Sequence, residues 1–140
     1  MKALISATAI AAAALLGACS TQQPATNADM AKQGAAAPST PTVAQDGTLL
    51  GPNGRTLYFF ARDARGSGKS ACVDQCAVNW PPLGVAATAK PIGDYTIITR
   101  ADGSKQWAYK GMPLYYFAKD AKPGDKTGQG VGGVWSVAKP

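Results

Sequence analysis

Seven residues written twice constrain this chain more than any other feature. Leu57-Tyr58-Phe59-Phe60-Ala61-Arg62-Asp63 returns as Leu114-Tyr115-Tyr116-Phe117-Ala118-Lys119-Asp120, with five of seven positions identical and the others exchanging Phe for Tyr and Arg for Lys. Trp80 follows the first copy and Trp135 the second at nearly the same spacing. Two landmarks in one register mark an internal repeat. A unit this small cannot hide its apolar face alone. Two copies related by a pseudo-twofold are therefore expected to complete one core.

Period-two alternation puts Leu57, Phe59 and Ala61 on one face and Tyr58, Phe60 and Arg62 on the other; Leu114, Tyr116, Ala118 and Tyr115, Phe117, Lys119 divide the same way. Aromatics on both faces predict central strands covered on both sides, or covered on one side with an aromatic shelf on the other. Further strands are predicted over Thr48 to Leu50, Arg55 to Ala61, Tyr95 to Thr99, Lys105 to Tyr109, Leu114 to Ala118 and Val134 to Ala138. Gly51-Pro52-Asn53-Gly54, Ala101-Asp102-Gly103-Ser104 and Lys110-Gly111-Met112-Pro113 read as turns, and Pro123 to Gly133, with five glycines, as a loop. One short helix is expected over Ala71 to Asn79, stopped at Trp80 because Pro81 disfavours the helical region there. The fold class is mainly β: antiparallel strands from two pseudo-symmetric repeats, about 46–83 and 102–140, forming one small core.

The N-terminal segment reads as processing signal. Lys2 supplies a positive n-region, Ala3 to Leu16 a short apolar run, and Leu16-Gly17-Ala18-Cys19 a lipobox. Residues 1–18 are thus expected to be a lipoprotein signal peptide, with Cys19 carrying acyl chains such as palmitate as a membrane anchor. Ser20, rather than Asp, after the cysteine points to the outer membrane where there are two. Thr21 to about Gln45 is Ala-, Thr-, Gln- and Pro-rich and reads as a linker, leaving 46–140 as the folded domain. Cleavage would leave thirteen basic and eight acidic residues, all of the acids Asp. The basic residues are scattered along the chain, which favours solubility over an anionic partner and gives no case for nucleic acid.

With Cys19 assigned to lipid, Cys72 and Cys76 remain as an isolated pair, most simply a disulfide in an oxidising compartment. On a regular helix their Cβ atoms would lie about 5–6 Å apart, too far for a bond that wants about 3.8 Å. A helix through both would therefore have to distort. The competing reading is a thiol redox pair or a copper site. Soft thiolates suit Cu(I), but no His is present to complete such a site, and Met112 is a weak substitute.

The doubled Leu-Tyr-x-Phe-x-x-Asp, the Cys-x-x-x-Cys-Ala-x-x-Trp-Pro-Pro-Leu of Cys72 to Leu83, and Gly132-Gly133-Val134-Trp135 together resemble a bacterial lipoprotein family. That family is described as a secreted repeat of unknown function with a Tyr-x-(Phe/Trp/Tyr)-x-x-Asp motif. The resemblance places the motif on Tyr58, Phe60 and Asp63 and again on Tyr115, Phe117 and Asp120. It implies an extracytoplasmic, lipid-anchored domain and brings no activity, cofactor or partner.

Asp63 and Asp120 could together hold a cation or a sugar hydroxyl, but each precedes a turn and more simply accepts backbone hydrogen bonds there. Trp80, Trp107 and Trp135 with the tyrosines could form a sugar platform, or serve as the core a small β domain needs. Without His or Glu the chain offers no Ser-His-Asp triad, no His-liganded zinc and no Glu pair. The sequence therefore predicts a non-catalytic envelope module, with no metal or cofactor, that binds an unidentified envelope ligand or protein. The alternatives are redox or copper handling at Cys72 and Cys76, and carbohydrate binding.

Overall fold

The computed structural model describes residues 41–140; the expected signal peptide, Cys19 and the linker as far as residue 40 lie outside them. Among the described residues seven short strands, one α-helix and one 3-10 turn (Val131–Gly133, ahead of β7) follow in order: β1 (Thr42–Val43), β2 (Leu49–Leu50), β3 (Tyr58–Phe60), α1 (Gln75–Asn79), β4 (Tyr95–Thr99), β5 (Lys105–Tyr109), β6 (Met112–Pro113) and β7 (Trp135–Val137). All the strand pairings are antiparallel: β1 with β2, β3 with β7, and β4–β5–β6 as a three-stranded meander.

The repeat sits on a pseudo-twofold axis between Tyr58 and Tyr115. Tyr58 N–H donates to the Tyr115 carbonyl at 2.8 Å, and Tyr115 N–H donates back to Tyr58 at 3.1 Å. Flanking this bridge, β3 pairs with β7 from the second repeat, and the second motif segment pairs with 79–83 from the first. The alternation sorts the side chains as predicted. Leu57, Leu114 and Tyr116, with Phe59 packed against them, join Leu49, Leu83, Trp107, Tyr109 and Ala138 in one cluster. Tyr58, Phe60, Tyr115 and Phe117 join Cys72, Trp80 and Trp135 in another. The single core expected is therefore two layers, one on each face of the paired motif segments.

Several expectations are corrected. The alternation over Leu114 to Ala118 predicts a strand, yet the segment forms no continuous ladder. Its N–H groups donate in turn to Trp107, Tyr58, Pro81 and Asn79. The opposing residues Pro81 and Pro82 have no N–H to return, so the ladder that β3 completes with Ser136 and Val137 is interrupted here. Met112 and Pro113, expected in a turn, are β6. The turn is only Lys110-Gly111, with φ 46° and 79°, and joins paired Tyr109 and Met112. Two positive φ values between paired strands are the signature of the tight hairpin turn that suits strand twist. Thr42 and Val43, placed in the linker, form β1 through backbone pairing with β2.

The helix is also shorter than expected. Asp74 takes φ 50°, ψ −126°, a conformation that favours Gly, so helix begins only at Gln75. Cys72 lies before that reversal and Cys76 after it, which answers the spacing problem: their Cα atoms are 5.2 Å apart, inside the range a disulfide accepts, and the bond is formed. Trp80, at φ −126°, ψ 74°, ends the helix ahead of Pro81 as predicted.

Candidate functional site

The six motif residues form a lock that crosses between repeats. The Tyr58 hydroxyl donates to Asp120 Oδ2 at 2.7 Å, and the Tyr115 hydroxyl to Asp63 Oδ2, also at 2.7 Å. Each tyrosine therefore holds the carboxylate of the other copy, not its own. The second oxygen of each carboxylate serves the following loop: Asp63 Oδ1 accepts from Ala71 N–H at 2.6 Å, and Asp120 Oδ1 from Thr127 N–H at 3.0 Å. The turn-organising role predicted for the two acids is present, but it is half of what they do. Both tyrosines are fully buried. Burial, reinforced by the bonded carboxylate, holds both phenols well above the usual tyrosine value of 10.0, so they stay protonated as donors.

Phe60 and Phe117 complete the lock. Phe60 stacks on Trp135 at 4.3 Å, Trp135 on Trp80 at 3.7 Å, and Trp80 on Phe117 at 4.2 Å, giving one column in which each Phe meets the other repeat's Trp. Tyr58 and Tyr115 meet Trp80 and Trp135 edge-on at 5.4 and 5.2 Å. The motif is thus one self-complementary half of an interface. Tyr and the aromatic two residues on share a face, and the Asp three residues further on closes the loop beneath the other copy's phenol.

What the two halves do not share is concentrated at one corner. Where Tyr58 Oη accepts from the backbone N–H of Gly128, Tyr115 Oη is met by the Ser70 hydroxyl at 2.7 Å. Arg100 Nη1 donates to that serine at 2.8 Å and to Gln106 Oε1 at 2.7 Å, while its Nη2 donates to the Cys72 carbonyl at 2.6 Å. With the Tyr115 proton committed to Asp63, the order runs from guanidinium to serine to phenol to carboxylate. A buried cation and a buried anion are thus linked through two hydroxyls. Burial raises the Asp63 carboxyl above its usual value, opposed by its hydrogen bonds from Ala71 and Tyr115 and by the Arg100 charge.

The disulfide belongs to this corner alone. Cys72 is fully buried among the aromatic rings and Cys76 half-buried. Met112 is outside that cluster, so the thiol pair has no soft neighbour there. Among the described residues no three His, Cys, Asp or Glu side chains stand close enough to hold a metal ion. All three tryptophans are buried, which removes the exposed platform a sugar reading needs. Cys19 lies outside the described residues. Sequence reasoning missed Ser70, Arg100, Gln106 and Gly128. Only Gly128, one glycine in a rich loop, left any signal: a Cβ there would stand 2.8 Å from Trp80 and 2.9 Å from Tyr58.

The chain belongs to the lipoprotein-named family described as a secreted repeat of unknown function, whose profile matches residues 41–84 and 96–139. The matched spans take in β1 and, from its second residue, β4. No curated protein and no solved structure matches the chain.

Proposed function

We propose that this secreted-family chain is a lipid-anchored, non-catalytic interaction module of the cell envelope. The lock is its scaffold and the disulfide corner its contact surface. The observation that carries the reading is the engagement of the motif. Both tyrosines and both aspartates, the residues the repetition singles out, have their polar atoms tied to one another and to the loops they close. A carboxylate held in this way is a structural acceptor, with no free proton to offer a substrate.

The corner has the opposite character. Helix α1 has no buried residue, and Val73 and Val78 beside the disulfide are 41% and 63% exposed. An apolar, covalently stapled rim of this kind suits contact with a partner. Two experiments test the reading. Metabolic labelling with a palmitate analogue should mark the wild-type chain and not Cys19→Ser; equal labelling of both would sink the anchor. A photo-crosslinking residue at Val73 or Val78 should capture an envelope protein in cells, whereas one at Thr96, on β4, should not. Capture from Thr96 alone would remove the corner from the account.

A further inference from the structure

The basic residues are spread along the chain, but three of them fall within eight residues and the fold adds a fourth. Arg65 and Lys69 lie on the exposed loop between Asp63 and Cys72, and Arg62, also exposed, stands immediately before Asp63. The hairpin turn of β5–β6 packs against that loop. Arg65 Nη1 donates to the Lys110 carbonyl at 3.0 Å, and Gly66 N–H to the Gly111 carbonyl at 2.8 Å. Lys110 is thereby held against Arg65, on the loop that also carries Lys69. From Ala64 to Ser70 the loop contains no acid, and the carboxylate that closes its base, Asp63, is buried. Asp94 stands 4.0 Å from Lys110 with both side chains about half exposed, a pair too open to neutralise the patch.

The second repeat supplies an internal control. Its loop carries Lys119, Lys122 and Lys126 on the same Asp-closed frame. There, however, Asp125 lies within the loop and accepts from the backbone of Ala121 and Lys122, while Lys126 pairs with Asp46. The scaffold needs the loop and not its charge, since one copy keeps the charge largely balanced and the other does not. An unbalanced cationic loop is therefore a feature to explain separately from folding.

We infer that the Arg62–Arg65–Lys69–Lys110 corner is a docking surface for the phosphate headgroups of an anionic bilayer. The inference rests on the anchored reading given above. Four cations open to solvent on a loop and an adjoining turn match an array of surface phosphates, each contributing through long-range attraction. A chain held at Cys19 would also be joined to its bilayer by no more than about 75 Å of extended backbone before residue 41, so the corner would meet that surface at high effective concentration.

The test uses the full-length chain with Cys19→Ser, so that acyl chains cannot insert, and vesicles of phosphatidylcholine with or without phosphatidylglycerol. Binding is expected only with phosphatidylglycerol and should weaken as salt rises. Arg62→Gln/Lys69→Gln/Lys110→Gln should weaken it at least about tenfold. Arg65 is left in place because its guanidinium holds the turn. Lys90→Gln/Lys105→Gln/Lys122→Gln removes the same charge elsewhere and should change binding less than about threefold. Equal losses from the two triple variants would mean net charge alone, and would overturn the proposal; so would absence of binding to anionic vesicles. Displacement by low-millimolar inorganic phosphate at constant ionic strength would assign the site to free phosphate and overturn the bilayer reading. If the corner triple variant loses its thermal transition, Arg62→Gln/Lys69→Gln decides by the same criteria. Acyl labelling at Cys19 remains independent. Labelling without vesicle selectivity sinks this proposal alone, and selectivity without labelling sinks the anchor alone.

Discussion

The cross-repeat lock makes a prediction about pairing that no same-repeat arrangement shares. Tyr115→Phe removes one oxygen atom from a fully buried site. Asp63 Oδ2 loses its phenol donor and Ser70 loses a neighbour, and water cannot take the vacated position without space being made for it. A hydrogen bond to a charged group contributes roughly 1.5–3 kcal/mol. A loss of about 2 kcal/mol would lower the melting temperature of a domain this size by about 8–16 °C. Tyr58→Phe should cost a similar amount, because Asp120 loses its phenol donor and Gly128 N–H its acceptor.

The decisive measurement is a pair of double-mutant cycles read by urea unfolding at pH 7. Tyr115→Phe combined with Asp63→Ala should show a coupling of about 1–3 kcal/mol, because the two side chains bond directly. Tyr115→Phe combined with Asp120→Ala joins residues of one motif copy whose side chains share no hydrogen-bond partner, and should be additive within about 0.5 kcal/mol. Coupling in the same-copy pair and none in the crossed pair would refute the lock as drawn. Equal coupling in both would mean that the mutations act on the core as a whole.

Three further outcomes follow from the same geometry. Burial raises the Asp63 carboxyl above its usual 3.8, so the folded state holds that proton more tightly than the unfolded chain. This contribution is full below about pH 3.8 and is lost as pH rises through the folded value; the stability of wild type relative to Asp63→Asn should fall across that window and level off above it, and a rise would contradict the assignment. Gly128→Ala should destabilise by about 2–3 kcal/mol in thermal unfolding, since its Cβ would press on the Trp80 and Tyr58 rings, whereas Gly130→Ala has no such neighbour and meets only the strain of its positive φ. Replacing Cys72 and Cys76 together by Ser should cost about 2 kcal/mol, the chain-entropy value for so short a loop, and a denaturation midpoint unchanged by the substitution would show the staple to be idle.

Much of this fold was legible because its main signal is local. Alternation within seven residues sorted both motif copies to their two faces, and β4 and β5 have the bounds their β-branched and aromatic runs predict. The pairing of Tyr with Asp was not legible, because the sequence presents each tyrosine five residues from its own copy's aspartate. Only the antiparallel meeting at Tyr58 and Tyr115 exchanges the partners. The broken ladder at Leu114 to Ala118 was hidden for a related reason: the prolines that interrupt it lie on the opposite segment, more than thirty residues away. Arg100 gave no warning at all. A lone arginine between a strand and a turn reads as solvent-facing, and its burial depends on Ser70, Gln106 and the Cys72 carbonyl, which only tertiary structure assembles around it.

The division between what occurs twice and what occurs once separates scaffold from site. The bridge, the crossed phenol–carboxylate bonds, the four-ring column and the Asp-closed loops are all doubled, so each is accounted for by the need to close two small units on one another. The disulfide, the serine–arginine relay and the acid-free basic loop occur once, at the first repeat's loop, and closure at the second loop succeeds without them. They are also coupled to one another. Ser70 ends the basic loop, Cys72 begins the stapled segment two residues later, and Arg100 holds both. That arginine comes from the β4–β5 hairpin of the second repeat, whose five-residue strands are longer than the two-residue strands of β1–β2. The second repeat thus contributes a longer arm that fixes the first repeat's loop. Rigidity in a loop that the core does not require is stability directed to the surface: the engaged motif speaks against catalysis, and the corner is where contact is proposed.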